Sequence, residues 1–90
     1  MNSYELAINK IIQEQQLIIG PLAFSQASKV NGILIDGDKV YLKGDGKEVL
    51  NNLVNRYSEF FGQASIEVCK DAVRDITAKM SPEEIPDSLK

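Results

Sequence analysis

Only one stretch of this chain alternates as a β-strand does. Ile33-Leu34-Ile35 and Lys39-Val40-Tyr41-Leu42-Lys43 flank Asp36-Gly37-Asp38, and Asp-Gly between apolar runs is a strong hairpin signal. In the second strand Val40 and Leu42 share one face, and Lys39, Tyr41 and Lys43 share the other. A two-stranded hairpin is marginal in water on its own. It must therefore lie across helices or pair with a second chain. Everywhere else the apolar residues recur at spacings of three and four. The fold class expected is α+β and predominantly helical, in the order α-α-β-β-α-α, with a single hairpin on helices.

The first helix reads as Tyr4 to Ile19. Tyr4, Ile8, Ile11, Ile12, Gln15 and Ile19 fall on one face, and only Gln15 interrupts its apolar character. Asn2 is placed to cap it, with Glu5 completing a capping box. Gly20-Pro21 stops it, and proline suits the first turn of a second, shorter helix from Pro21 to Val30 that buries Phe24, Ala27 and Val30. Asn31-Gly32 ends that helix. After the hairpin, Gly44-Asp45-Gly46 breaks the strand, and Asp45 with Glu48 makes a second capping-box pattern. Leu50, Leu53, Val54, Tyr57, Phe60 and Phe61 then mark one wide apolar stripe. Gly62 divides this helix from another running Ala64 to Met80, with Cys69, Ala72, Val73, Ile76 and Met80 inward. One kinked helix is the alternative, because Phe61, Ala64, Val68 and Ala72 stay in phase across the glycine and an internal Gly costs only about 1 kcal/mol. Ser81-Pro82-Glu83-Glu84 repeats the helix-start pattern, but Pro86 follows at once. Residues 1–80 are thus expected as one compact domain and 81–90 as a short tail anchored weakly by Ile85 and Leu89.

The chain has 90 residues, one Cys, no His and a net charge of −3. One Cys allows neither an internal disulfide nor a Cys-rich zinc cluster, and the lack of His removes the commonest general base and metal ligand. Gly44-Asp45-Gly46-Lys47 is not a phosphate-binding loop, since Tyr41 stands where the first Gly is needed and Glu48 where Ser or Thr is. A calcium loop starting at Asp36 fails at Val40 and Lys47. Cys69 lies within an apolar stripe, which suits a buried structural thiol rather than a nucleophile. Asp71 and Asp75 belong to a row of alternating charge with Glu67, Lys70 and Arg74, the pattern of a solvated helix face. No nucleophile–base pair or cofactor motif is present, so the expectation is a non-enzyme with no cofactor and no metal.

What remains is a non-catalytic interaction or regulatory module, self-associating or docked on a larger protein. Leu53, Tyr57, Phe60 and Phe61, with the hairpin edge, are the expected partner interface. Two short strings, Ile18-Ile19-Gly20-Pro21-Leu22-Ala23 and Phe61-Gly62-Gln63-Ala64, have the look of packing signatures. The alternatives are a nucleic-acid binder using Lys39, Tyr41 and Lys43, which the acidic balance disfavours, and a small-molecule sensor with an apolar cavity among its helices. No apolar run is long enough to span a bilayer, and the polar residues 1–10 lack a signal-peptide pattern. A cytoplasmic location is the expectation.

Overall fold

Helix α1 (Ser3–Ile19) starts where Asn2 Oδ1 accepts the Glu5 amide at 2.8 Å in this computed structural model, which describes residues 2–90. The cap is as expected, but the box is not closed. The Glu5 carboxylate turns instead to accept the Leu42 amide at 2.9 Å. Asn9, one turn on, donates from Nδ2 to the Glu5 carbonyl at 2.8 Å and to the Val40 carbonyl at 3.3 Å. α1 thereby covers the Val40–Leu42 edge of the hairpin with two side chains, which blocks pairing there by another strand.

Helix α2 (Leu22–Ala27) is shorter than the expected Pro21–Val30, and it buries Ala23 and Ala27 while Phe24 stays half-buried. Strands β1 (Ile33–Asp36) and β2 (Lys39–Leu42) pair antiparallel, with Ile33 opposite Leu42 and Asp36 opposite Lys39. Gly37 takes the first central position of the turn, with φ 65, and Asp38 the second. That is the type II′ pattern, in which Gly rather than the preceding Asp leads the turn. Ile33 and Val40 are buried against the helices.

Helix α3 (Gly46–Phe61) runs through the middle of the molecule, meeting α1, α2, the next helix and the C-terminal segment. Its Leu50, Leu53, Val54 and Tyr57 are fully buried against Ile8, Ile11 and Ile12 of α1 and Cys69 and Val73 beyond. Asp45 caps it by accepting the Lys47 amide at 3.1 Å. Gly46 is there because nothing larger fits: a Cβ at this position would lie 2.5–2.7 Å from Cδ2, Cγ and Cβ of Tyr4. Tyr4 is itself held by its hydroxyl, which donates to the Glu84 carbonyl at 2.8 Å. Gly46→Ala is expected to destabilise by about 1–3 kcal/mol, since the clash reaches the root of the Tyr4 side chain and cannot be relieved by a flexible tip. Urea unfolding measures this, and an unchanged midpoint would mean that α1 and α3 do not approach so closely.

Gly62 (φ 86) donates its N–H to the Ser58 carbonyl at 2.8 Å and ends α3, so two helices rather than one kinked helix occupy this region. The second of them is not continuous to Met80. Helix α4 (Ala64–Ala72) breaks at Val73, whose φ of −110 and ψ of 9 leave the helical basin, and a single turn, α5 (Arg74–Thr77), follows. Cys69 and Val73 are buried as expected, whereas Ala72, Ile76 and Met80 are only half-buried.

The last residues are more than weakly anchored. They form two 3-10 turns (Pro82–Glu84 and Asp87–Leu89), with Pro86 and Leu89 buried and the Ser88 amide donating to Asn51 Oδ1 at 3.1 Å. The Ser81 amide and hydroxyl both donate to the Glu84 carboxylate, at 2.8 and 2.9 Å, and hold its pKa below the usual carboxylate range. The salt bridges among the described residues join positions three apart on the surface, such as Lys70 with Glu67 at 3.7 Å, and contribute little to stability.

Candidate interaction surface

One end of the molecule is apolar. α1 has 17 residues, and its buried stripe is complete by Gln15. Leu17 and Ile18 fall off that stripe and point outward, 81% and 63% exposed. Gly20 and Pro21 then turn the chain, and Leu22, half-exposed, opens α2. α3 finishes at the same end. Its Phe60 is 53% exposed, with the Arg56 guanidinium 4.7 Å over its ring and the Phe61 ring 6.5 Å away. Arg56 is fixed in turn by donating from Nε to Gln26 Oε1 at 2.9 Å.

Between the last turn of α1 and the first turns of α4 lies a groove of about 270 Å³, lined by Ile18, Ile19, Phe61, Ala64 and Val68 over Gln15 and Ser65. The two strings noted in the sequence, Ile18–Ala23 and Phe61–Ala64, thus meet here. Beneath the groove the buried Gln15 amide donates from Nε2 to the Ser65 carbonyl at 3.1 Å and to Cys69 Sγ at 3.4 Å. Burial pushes the Cys69 thiol up to about 11, against a smaller opposing pull from the Gln15 hydrogen bond. A thiol so placed is protonated and shielded at neutral pH. Tyr57, tilted against Phe61 at 6.5 Å, donates its hydroxyl to the Ala23 carbonyl at 2.6 Å, tying α2 to α3 beside the groove.

Two of the four residues expected at a partner interface are placed elsewhere. Leu53 and Tyr57 are fully buried in the core and offer nothing to a partner of the folded chain. Helical periodicity marks the inward face without saying whether that face meets the chain's own core or another chain. Phe60 and Phe61 do reach the apolar end. Leu17, Ile18 and Leu22 were the residues that periodicity passed over. Their signal was present as apolar side chains outside the Tyr4–Ile19 face of the first helix.

The hairpin face is more mixed. Lys39, Tyr41 and Lys43 are all exposed, as a nucleic-acid face requires, but Asp36 stands opposite Lys39 and half-exposed Leu34 opposite Tyr41. An acidic and an apolar neighbour weaken the attraction of that face for phosphates. Among the described residues no three His, Cys, Asp or Glu side chains gather as a metal-holding group, and no helix is long and apolar enough to cross a membrane. No protein family, characterised protein or solved structure matches the chain.

Proposed function

We propose that this chain is a non-catalytic protein-interaction module whose binding surface is the apolar end formed by α1, α2, α3 and the groove beside α4. The observation that supports this reading is the open apolar groove of about 270 Å³ lined by Ile18, Ile19, Phe61, Ala64 and Val68, with Ile18 63% exposed in its wall and exposed Phe60 next to Phe61 at its α3 side. Isolated surface hydrophobes are ordinary, but a contiguous patch of several hundred Å² on a small domain usually marks a place where something binds. The groove supplies shape, and Arg56 lying over Phe60 supplies a rigid aromatic–cation anchor of the kind enriched at binding hot spots.

Phe60→Asp tests the reading. Phe60 is half outside the fold, so the variant is expected to keep its circular dichroism spectrum and to lose no more than about 1 kcal/mol of stability. In native mass spectrometry of material purified under mild conditions, wild type should carry additional protein mass that Phe60→Asp has lost. Bare monomers for both proteins, or the same bound mass on both, would sink the assignment of this surface.

A further inference from the structure

Gln15 lies on the floor of the groove beside α4, and it is only 1% exposed. Its Nε2 hydrogens are both used, on the Ser65 carbonyl at 3.1 Å and on Cys69 Sγ at 3.4 Å. The other end of the amide, Oε1, accepts from no described residue. Nor is it sealed in protein, because among the described residues the enclosed side-chain polar atom without a partner is the Ser88 hydroxyl. Oε1 therefore opens on the groove that Gln15 lines. We infer, on the reading of the apolar end as an interaction surface, that the groove receives a tryptophan side chain of a partner protein, whose indole N–H donates to Gln15 Oε1.

The lining chooses among side chains. Its walls, Ile18, Ile19, Phe61, Ala64 and Val68, are apolar, and its floor offers an acceptor with no free side-chain donor beside it, since the Ser65 hydroxyl already donates to the Gly62 carbonyl at 2.8 Å. A wholly aliphatic group would fill the walls and leave Oε1 dry and unpaired, which is costly. A lysine or arginine would bring a charge and more donors than one acceptor satisfies. A carboxylate finds no donor there, and the adjoining turns carry Glu14, Glu67 and Asp71 against Lys70, which Glu67 already pairs at 3.7 Å. Indole matches what is present: a large apolar body with a single N–H that donates and does not accept.

Size and access agree. A dry cavity of about 150 Å³ holds a benzene ring, so about 270 Å³ has room for the two-ring indole, with Phe61 as an aromatic wall. The groove is open beside Ile18, so a ring enters while the backbone that carries it stays outside. The chain contains no Trp, so the ring must come from another protein and not from a second copy. Tryptophan is also among the residues that most often anchor protein interfaces.

Proton–nitrogen correlation spectra of the nitrogen-15-labelled full chain, titrated with N-acetyltryptophanamide, test this. The Gln15 side-chain amide and the Ser65 and Val68 backbone amides are expected to shift together, with a dissociation constant on the order of 1 mM, ordinary for one side chain without the rest of its protein. The analogue methylated on the indole nitrogen keeps the ring and loses the donor, and should bind about tenfold more weakly. Ala64→Trp, a change at an exposed position, should fill the groove from within and abolish the shifts, whereas Leu34→Glu on the hairpin should leave them intact. Equal binding of the two indoles overturns tryptophan as what the groove selects, although the apolar surface stands. Binding of free indole without binding of N-acetyltryptophanamide overturns a partner's side chain in favour of a small molecule. No shift at these residues up to the solubility limit of either ligand removes indole as the occupant, and the surface itself is then judged separately by the bound mass that Phe60→Asp loses or keeps.

Discussion

Tyr57→Ala is expected to cost about 3–5 kcal/mol, the range for removing a large aromatic side chain from a packed core. The total stability of a 90-residue domain is about 5–13 kcal/mol, so this one change takes much of it. Three contributions combine at this position. The ring is fully buried among α1, α3 and α4 residues, and its removal leaves a cavity that rigid helices cannot close. The hydroxyl's bond to the Ala23 carbonyl at 2.6 Å ties the six-residue α2, which has little propensity to hold itself. Its contact with Phe61 supports the wall of the groove. Tyr57→Phe separates the parts by keeping the ring and losing only the hydroxyl, at about 1–2 kcal/mol. Equilibrium urea unfolding of both variants reads the two costs. If Tyr57→Ala unfolds within about 0.5 kcal/mol of wild type, the ring is not a core residue.

How far the fold was legible depends on whether the deciding contact is local. The Leu50–Tyr57 stripe is written into a 3.6-residue period, and the hairpin into two apolar runs around a glycine, so both could be read without knowing what they touch. Phe60 continues that stripe in sequence yet lies half in solvent. α3 outruns its cover at this end, and where a neighbouring helix stops is not a property of α3's own sequence. Val73 is harder still. Neither Gly nor Pro marks the break there, and the sequence around it reads as an unbroken helix; nothing local in the structure explains the break either. Pro86 was legible as a helix stop, but its burial depends on the C-terminal segment meeting α3, which lies far from it in sequence. The candidate surface divides in the same manner. Ile18–Ala23 and Phe61–Ala64 could each be picked out by an apolar run broken at a glycine, whereas their meeting at one groove follows from the lengths of α1 and α3 and the antiparallel return of α4.

Gln15 shows what periodicity conceals. A polar residue on an apolar face reads as an interruption, but its amide satisfies the Ser65 carbonyl and the Cys69 sulfur at once and joins α1 to α4 beneath the groove. Burying an amide is tolerable because its donors find partners. The same arrangement places a thiol and a phenol, Cys69 and Tyr57, in the interior near one another, and that sets the chain's response to alkali.

Stability is expected to fall steeply above pH 9. Burial is the main cause that raises the Cys69 thiol from 9.0 to about 11, and burial, then the nearness of Cys69, raises the Tyr57 hydroxyl above its ordinary value. In the unfolded chain both groups return to their ordinary values and release protons between pH 9 and 10. Over that span the unfolded state binds fewer protons than the folded state, so the unfolding free energy decreases as pH rises. The stability is fully present below pH 9 and is lost as pH climbs toward the folded-state value. At about 1.4 kcal/mol per pKa unit, Cys69 alone removes roughly 2–3 kcal/mol by pH 11, and Tyr57 adds to the loss above pH 10. Thermal unfolding followed by circular dichroism from pH 7 to 11 should show this decline in Tm. Cys69→Ala should flatten the lower part of the curve, and Tyr57→Phe the upper part, each relative to that variant's own Tm at pH 7. The native thiol should also resist dithiobisnitrobenzoate at pH 8 and react only as fast as the fold opens. A Tm that stays level to pH 10.5, or that falls as steeply in Cys69→Ala as in wild type, would remove the buried thiol as the cause, and rapid labelling of the native protein would place Cys69 at the surface.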